Sequence, residues 1–215
     1  MIKASQLLAH RGNWANDLGE ECFKKNSVEA FESALSLGFG LETDLRDYRG
    51  SLVISHDVAH SLSPKVDFQF LQRFEGPVAI NIKSDGLTDL LTSNFAAKFQ
   101  SDVFCFDMTI PELIRYQSLG IPVAKRMSEF EDYPKISAGW IWLDSFVSEW
   151  YLDNLVEIAC VSPDTKVALV SPELHGRPYL SVWPKIAKAM SRLPNLYLCT
   201  DYPAMFLKQY QDIDV

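Results

Sequence analysis

The sequence lacks any long hydrophobic run. Within its 215 residues, a Lys, Arg, Asp or Glu interrupts every apolar stretch before it reaches the ~20 residues needed to cross a bilayer. The N-terminal region also lacks the hydrophobic core and small-residue cleavage site of a signal peptide, because its apolar run Leu7–Ala9 ends at His10. We therefore expect no transmembrane segment and a cytoplasmic protein.

Positive charge is scarce: 20 Lys and Arg against 28 Asp and Glu give a formal net charge of -8 at pH 7. This balance excludes the broad basic surface of a nucleic-acid-binding protein, so we expect no nucleic-acid partner. The four cysteines form no C-x-x-C pair, which favours buried free thiols over a metal or redox role. Gly-rich linkers and low-complexity tracts are also missing, which predicts one domain over residues 1–215.

The sequence does contain a series of short apolar runs separated by segments with helical spacing of apolar residues. Nearly continuous apolar runs suit parallel strands buried on both faces. The predicted strands are Gln6–His10, Gly40–Leu45, Ser51–His56, Val78–Lys83, Val103–Asp107, Ile121–Arg126, Gly139–Asp144, Lys166–Ser171 and Asn195–Thr200. The predicted helices are Ser27–Leu37, Leu87–Phe99, Pro111–Leu119, Glu149–Cys160 and Val182–Ser191.

The second and third predicted strands are separated only by Arg46–Gly50, a link too short for a crossover helix, so they are expected to form a β-hairpin. Counting that hairpin as one unit leaves eight strands alternating with helices. This pattern predicts an α/β protein with a (β/α)8 TIM-barrel fold and a short hairpin extension at the second strand. An open, doubly wound sheet is the alternative.

Polar side chains end four consecutive predicted strands, where the loops of a parallel barrel carry the active site. These residues are His10, Arg11, Glu42, Asp44, His56, Asn81 and Lys83. Because side chains alternate along a strand, Glu42 and Asp44 are expected on one face, as are Asn81 and Lys83. The pattern predicts a shared site.

These residues lie in motifs that resemble the N-terminal signature of glycerophosphodiester phosphodiesterases. The motifs are Ala9-His10-Arg11-Gly12, Asn26-Ser27 with Ala30-Phe31 and Ala34, Gly38, Glu42-Thr43-Asp44, Gly50 and His56-Asp57. The resemblance is strongest over residues 7–57, continues weakly through Ile80–Lys83 and returns at Thr200–Pro203.

The resemblance implies a TIM-barrel phosphodiesterase with one divalent cation, Mg2+ or Ca2+, and a small-molecule phosphodiester substrate. The residue chemistry agrees, because a hard cation on Glu42 and Asp44 offsets both the carboxylate repulsion and part of the phosphodiester charge. Arg11 and Lys83 are then expected to contact the remaining phosphate oxygens, Arg11 as a fork and Lys83 as a point charge.

The resemblance further implies that two histidines act as general acid and base. His10 and His56 are the candidates, since an imidazole exchanges protons near neutral pH. Arg11 and Lys83 complete the predicted catalytic set.

Three departures from the family pattern affect these expectations. Lys25 stands where the family has a Glu, which inverts the local charge. Asn81 stands where the family has an acidic metal ligand, which predicts a weaker cation site formed by Glu42, Asp44 and Asn81. Only a short segment separates Asp57 from Val78, which predicts a more open pocket.

Later strand ends add weaker candidates. They are Asp107, Arg126, Asp144, Glu173, His175, Arg177 and Asp201. Among them, Glu173 and His175 are predicted to bind substrate, recognising a sugar or a second phosphate; an ordinary surface loop is the alternative. Trp140 and Trp142 are expected to pack in the core.

The predicted function is metal-dependent hydrolysis of a glycerophosphodiester-like substrate. One alternative is a catalytically weak or inactive relative that binds a phosphate-containing ligand, because Asn81 and Lys25 weaken the cation site. Another is a metal-dependent aldolase or isomerase, since this fold hosts many reactions.

Overall fold

The computed structural model describes residues 1–15, 20–95, 102–131, 139–160 and 164–212. Strands and helices alternate along these segments. The strands are β1 (Leu7–Ala9), β2 (Gly40–Tyr48), β3 (Ser51–Ile54), β4 (Val78–Ile82), β5 (Val103–Phe106), β6 (Ala124–Met127), β7 (Trp140–Leu143), β8 (Lys166–Val170) and β9 (Leu196–Thr200). The helices are α1 (Val28–Ser36), α2 (Phe68–Leu71), α3 (Thr88–Phe95), α4 (Ile110–Ser118), α5 (Leu155–Ala159), α6 (Trp183–Met190) and α7 (Pro203–Tyr210).

Eight of the strands form a parallel sheet in the order β5-β4-β2-β1-β9-β8-β7-β6. The two ends of this sheet meet, because Cys105 in β5 pairs in parallel with Val123 just before β6. The Cys105 N–H also donates to the Pro122 carbonyl at 2.9 Å. The sheet is therefore a nearly closed (β/α)8 barrel, which confirms the predicted fold class against the open doubly wound alternative.

The predicted hairpin is confirmed as the antiparallel pair of β2 and β3, in which Tyr48 lies opposite Ser51. Its turn is only Arg49-Gly50, and both residues have positive φ, 49° and 77°. A two-residue turn with two positive φ values matches the right-handed twist of a hairpin. The polar residues assigned to the link instead continue β2 beyond the barrel, where they pair with β3.

The barrel interior is filled with stacked aromatic rings. Phe104 stacks on Trp140 with ring centroids 4.3 Å apart, and Phe106 stacks on Trp142 at 3.9 Å. Both tryptophans are 4% exposed, which confirms that they pack in the core. A second apolar layer lies between the barrel and its surrounding helices, with Trp183 as its largest fully buried side chain.

Three helices and two cysteines differ from the sequence prediction. Cys105 and Cys199 are buried free thiols as expected, but Cys22 and Cys160 are exposed. The helix predicted over Glu149–Cys160 is limited to α5, because side chains hold its first half in turns: Trp150 Nε1 donates to the Asp144 carbonyl at 3.1 Å, and Glu149 accepts from Arg177 at 2.7 Å. Helices α2 and α7 were not predicted. The end of the second predicted helix, residues 96–99, lies outside the described residues. Among the helices that are described, none is both long and apolar enough to span a membrane.

Ala substitutions at Gly12 and Gly50 separate two effects on stability, that of a left-handed backbone and that of steric overlap. Both have positive φ, 70° and 77°, but a Cβ on Gly12 would lie 2.2 Å from Phe31 Cδ1, whereas one on Gly50 meets nothing within 4 Å. Each Ala substitution should cost about 1–2 kcal/mol for the left-handed backbone. We expect Gly12→Ala to lower the free energy of unfolding by about 1–3 kcal/mol more, through overpacking against buried Phe31. Urea denaturation measures both values, and equal losses would contradict the overlap.

Candidate active site

The C-terminal ends of β1, β2 and β4 bring the predicted polar residues to one mouth of the barrel. Asp44 in β2 lies directly opposite Asn81 in β4. Glu42, Asp44 and Asn81 are 2%, 1% and 8% exposed, so all three are buried. The structure therefore brings together the three residues predicted to hold a cation.

Arg11 contacts both carboxylates, one through its backbone and the other through its side chain. Its backbone N–H donates to Glu42 Oε2 at 3.0 Å, and its Nε lies 3.1 Å from Asp44 Oδ2. A positive φ of 55° at Arg11 turns the chain at the end of β1. Lys83 approaches from β4, with Nζ 3.3 Å from Asp44 Oδ1. Both predicted phosphate-binding cations thus lie at the carboxylate pair.

Burial and the neighbouring Asp44 charge raise the pKa of Glu42 to about 8, although Arg11 and Lys83 partly offset the effect. Two like charges so close together favour proton or cation binding. No cluster of three His, Cys, Asp or Glu residues suited to a metal occurs in the described segments. The third oxygen is instead that of Asn81, whose Oδ1 is buried without a hydrogen-bond partner. Two carboxylates and one free amide oxygen fit a hard divalent cation.

Asn26 braces this site, a role that the sequence analysis did not predict. Its Nδ2 donates to Asp44 Oδ2 at 2.8 Å, and its Oδ1 accepts from Thr43 Oγ1 at 2.9 Å. Asn26 also has a positive φ of 60°, a conformation that asparagine tolerates better than most residues. Its presence in the Asn26-Ser27 motif was the available signal.

Asp201, at the end of β9, orients His10. Its Oδ1 lies 2.8 Å from His10 Nδ1, and its Oδ2 lies 3.1 Å from Lys25 Nζ. Because a carboxylate only accepts hydrogen bonds, this contact puts a proton on Nδ1. His10 Nε2 remains and lies 4.0 Å from Glu42 Oε2. Burial lowers the pKa of His10 despite the opposing effect of Asp201, which favours the neutral imidazole. The sequence did not predict that Asp201 contacts either His10 or Lys25.

His56 lies on the exposed loop after β3. Its Nδ1 is 2.9 Å from Asp57 Oδ1, and Arg46 holds the His56 carbonyl with two nitrogens at 3.1 and 3.2 Å. Arg11 and His56 both line a cavity of about 600 Å³ between residues 24–29 and residues 54–64. His56 therefore faces the same opening as Arg11, while His10 lies deeper in the barrel mouth.

The two predicted substrate-binding residues have different surroundings. Glu173 accepts hydrogen bonds from the Ser171 and Thr200 hydroxyls, and burial raises its pKa. These contacts fix its carboxylate inside the mouth. His175 has Nε2 2.6 Å from Asp144 Oδ1 and a side chain that is 25% exposed, so it is accessible at the opposite side of the mouth.

The comparisons with known proteins agree with this architecture. The chain matches the structure of a glycerophosphodiester phosphodiesterase from Agrobacterium tumefaciens with a TM-score of 0.67 and 16% identity, covering 97% of this chain and 98% of that one. The chain shares the TIM-barrel fold of that phosphodiesterase. A glycerophosphoryl diester phosphodiesterase from Parabacteroides distasonis matches with a TM-score of 0.56 and 14% identity, covering 97% and 87%. No protein-family model matches the sequence, and the search of curated proteins gave no match.

The raised pKa of Glu42 predicts how stability depends on pH when divalent cations are removed by a chelator. A carboxyl group whose folded pKa lies above its unfolded value, here about 8 against 4.5, stabilises the fold at low pH and loses that contribution as pH rises. We therefore expect the melting temperature of the chelated protein to fall between pH 5 and pH 9, by less in Glu42→Gln. Thermal unfolding across this range measures the difference. Parallel profiles for the two proteins would contradict the assignment.

Proposed function

We propose that this chain is a metal-dependent phosphodiesterase that hydrolyses a glycerophosphodiester-like small molecule by general acid–base catalysis. One observation carries the proposal: buried Glu42 and Asp44 lie beside the free Asn81 oxygen, with Arg11 and Lys83 in contact with Asp44. A phosphodiester needs both charge neutralisation and positioning before a nucleophile approaches phosphorus. This set of oxygen ligands and cations supplies both.

Glu42, Asp44 and Asn81 would hold the cation, Mg2+ or Ca2+. When bound, this ion would neutralise phosphate charge as a Lewis acid. Arg11 and Lys83 would then exchange part of their contact with Asp44 for phosphate oxygens. The fork of Arg11 suits two phosphate oxygens at once, whereas Lys83 supplies a single point charge.

One histidine would take a proton from the attacking hydroxyl, and the other would donate a proton to the leaving alkoxide. His10 is the better base, because Asp201 keeps a proton on Nδ1 and the lowered pKa favours a neutral ring with a free Nε2. His56 would donate a proton to the leaving alkoxide from the accessible side of the cavity, with Asp57 supporting its Nδ1. Arg11 lines the same cavity and would hold the substrate between them.

A phosphate-binding protein with little turnover is the second candidate. Asn81 contributes no negative charge, and Arg11 and Lys83 already compensate Asp44, so the site is less dependent on a metal than one with three carboxylates. Metal affinity and turnover therefore separate the two functions.

We expect hydrolysis of glycerophosphodiesters to require an added divalent cation and to be lost in Glu42→Gln. Asn81→Asp should tighten cation binding by about tenfold, because a full negative charge replaces a dipole. The expected measurements are calorimetric titration with Mg2+ and Ca2+ and assays of turnover against metal concentration. Glu112→Gln serves as the control, since Glu112 on α4 is a partly buried carboxylate that accepts from the Thr88 hydroxyl and is not among the site residues.

Turnover that survives chelation would contradict metal dependence. Unchanged cation affinity in Asn81→Asp would show that Asn81 does not contact the ion. Cation binding without turnover in the wild type, with turnover appearing in Asn81→Asp, would favour the phosphate-binding function.

His10→Ala and His56→Ala should each reduce kcat by about 10²–10⁴-fold at saturating metal. The wild-type pH profile of kcat should be bell-shaped, because one histidine acts as a base and the other as an acid. Each single variant should lose one limb of the bell. His60→Ala is the control, since His60 lines the same cavity but its Nδ1 accepts from the Leu62 N–H. A variant that keeps more than about a tenth of wild-type kcat has no acid–base role at that position.

A further inference from the structure

Large apolar side chains are exposed around the mouth of the barrel. Loops that open at this end carry Val58, Leu62, Phe130, Val147 and Leu180, all exposed. Val28 and Ile110 begin α1 and α4 at the same end and are also exposed. These seven are the majority of the twelve exposed large apolar residues in the described segments. The apolar exposure is therefore concentrated on the face that carries the candidate active site.

Glu129, in the loop after β6, holds the loop after β7 in place on this face. Its carboxylate accepts the backbone N–H groups of Phe146, Val147 and Ser148 at 3.0, 3.0 and 2.9 Å. Although burial opposes the effect, these bonds lower the pKa of Glu129 to about 2, so it stays ionised at neutral pH. The loops after β6 and β7 are thus joined by charge-assisted hydrogen bonds.

The joined loops present apolar side chains to solvent. Phe130 is 72% exposed and Val147 is 67% exposed. The Phe130 ring lies 6.1 Å from that of Phe146, so the exposed aromatic side chain rests on a second ring. The hydrogen-bonded loops therefore hold Phe130 and Val147 in water, where these side chains lose the hydrophobic free energy that burial would give.

The opposite rim is also apolar. Val58 and Leu62 are each 83% exposed, and they line the 600 Å³ cavity together with Arg11 and the Lys24-Lys25 pair. Apolar side chains thus lie on both sides of an opening that contains groups of both charges, since Glu29 and Asp57 line the same cavity as these cations. A phospholipid surface has the complementary arrangement, with phosphodiester anions next to hydrocarbon.

We propose that the mouth of the barrel docks on a zwitterionic phospholipid surface, inserting Phe130 and Val147 on one rim and Val58 and Leu62 on the other. This inference rests on the proposed phosphodiesterase function and names its substrate class as the headgroup phosphodiester of a phospholipid. The net charge of -8 favours a zwitterionic surface over an anionic one, which would repel the chain.

A protein partner fits this face less well. A specific interface buries about 800 Å² on each partner, whereas one aromatic side chain contributes about 150–250 Å². The apolar side chains here form two small groups separated by the polar mouth. A lipid surface accommodates separate groups, because it needs no shape complementarity.

Sedimentation with phosphatidylcholine vesicles tests the proposal. We expect wild-type protein to bind, and the double variant Phe130→Ser with Val147→Ser to bind about tenfold more weakly, since two apolar side chains no longer leave water. The matched control is Ile114→Ser with Leu119→Ser, which removes two exposed apolar side chains away from the mouth: Ile114 in α4, 53% exposed, and Leu119 just after it, 49% exposed. The control should bind like the wild type.

The same proteins are assayed on a water-soluble glycerophosphodiester with Mg2+. Unchanged soluble turnover in Phe130→Ser with Val147→Ser, together with weaker vesicle binding, supports docking. No binding of the wild type to phosphatidylcholine, binding only to anionic vesicles, or equal losses in the variant and the control would overturn it. Vesicle binding without hydrolysis of any phosphodiester would instead reject the proposed function and the substrate class.

Discussion

Two carboxylates buried side by side are the constraint on which this site depends. Glu42 and Asp44 share one face of β2 and are almost completely removed from water, where paired negative charge is costly. Arg11, Lys83 and Asn26 supply the compensating contacts, and Arg11 does so with both its backbone and its side chain. This demand accounts for the left-handed backbone at Arg11 and Asn26, since strained conformations persist where surrounding contacts determine them.

Beneath this charged layer, the barrel is filled by aromatic stacks that act as an apolar floor. Phe106 and Trp142 form the stack closest to the mouth, because they lie near the ends of their strands. Water is excluded below the site, and electrostatic interactions are stronger in such an environment than in solvent. The mouth itself carries cations and carboxylates at the ends of β1, β2 and β4, with exposed apolar residues in the loops after β3, β6 and β7.

The alternation of strands and helices, the hairpin and the convergence of Glu42, Asp44 and Asn81 were predictable because each follows from local spacing and from the polarity of a parallel barrel. The partners of His10 were not, since Asp201 lies 191 residues away along the chain. Hydrophobic periodicity identifies elements and does not say which loops meet. The turns before α5 have the same origin, because contacts with distant Asp144 and Arg177 hold that segment out of a helix.

The bond between His10 and Asp201 also orders events during biosynthesis. β1 and β9 are neighbours in the barrel, with Ala9 opposite Thr200, yet they are the first and last of the described strands along the chain, so β9 is synthesised long after β1. His10 therefore emerges without its orienting carboxylate, and the deep end of the site forms only after β9 and Asp201 have been translated. A nascent chain that lacks β9 carries most of the polar residues of the mouth in an arrangement that cannot fix the His10 ring.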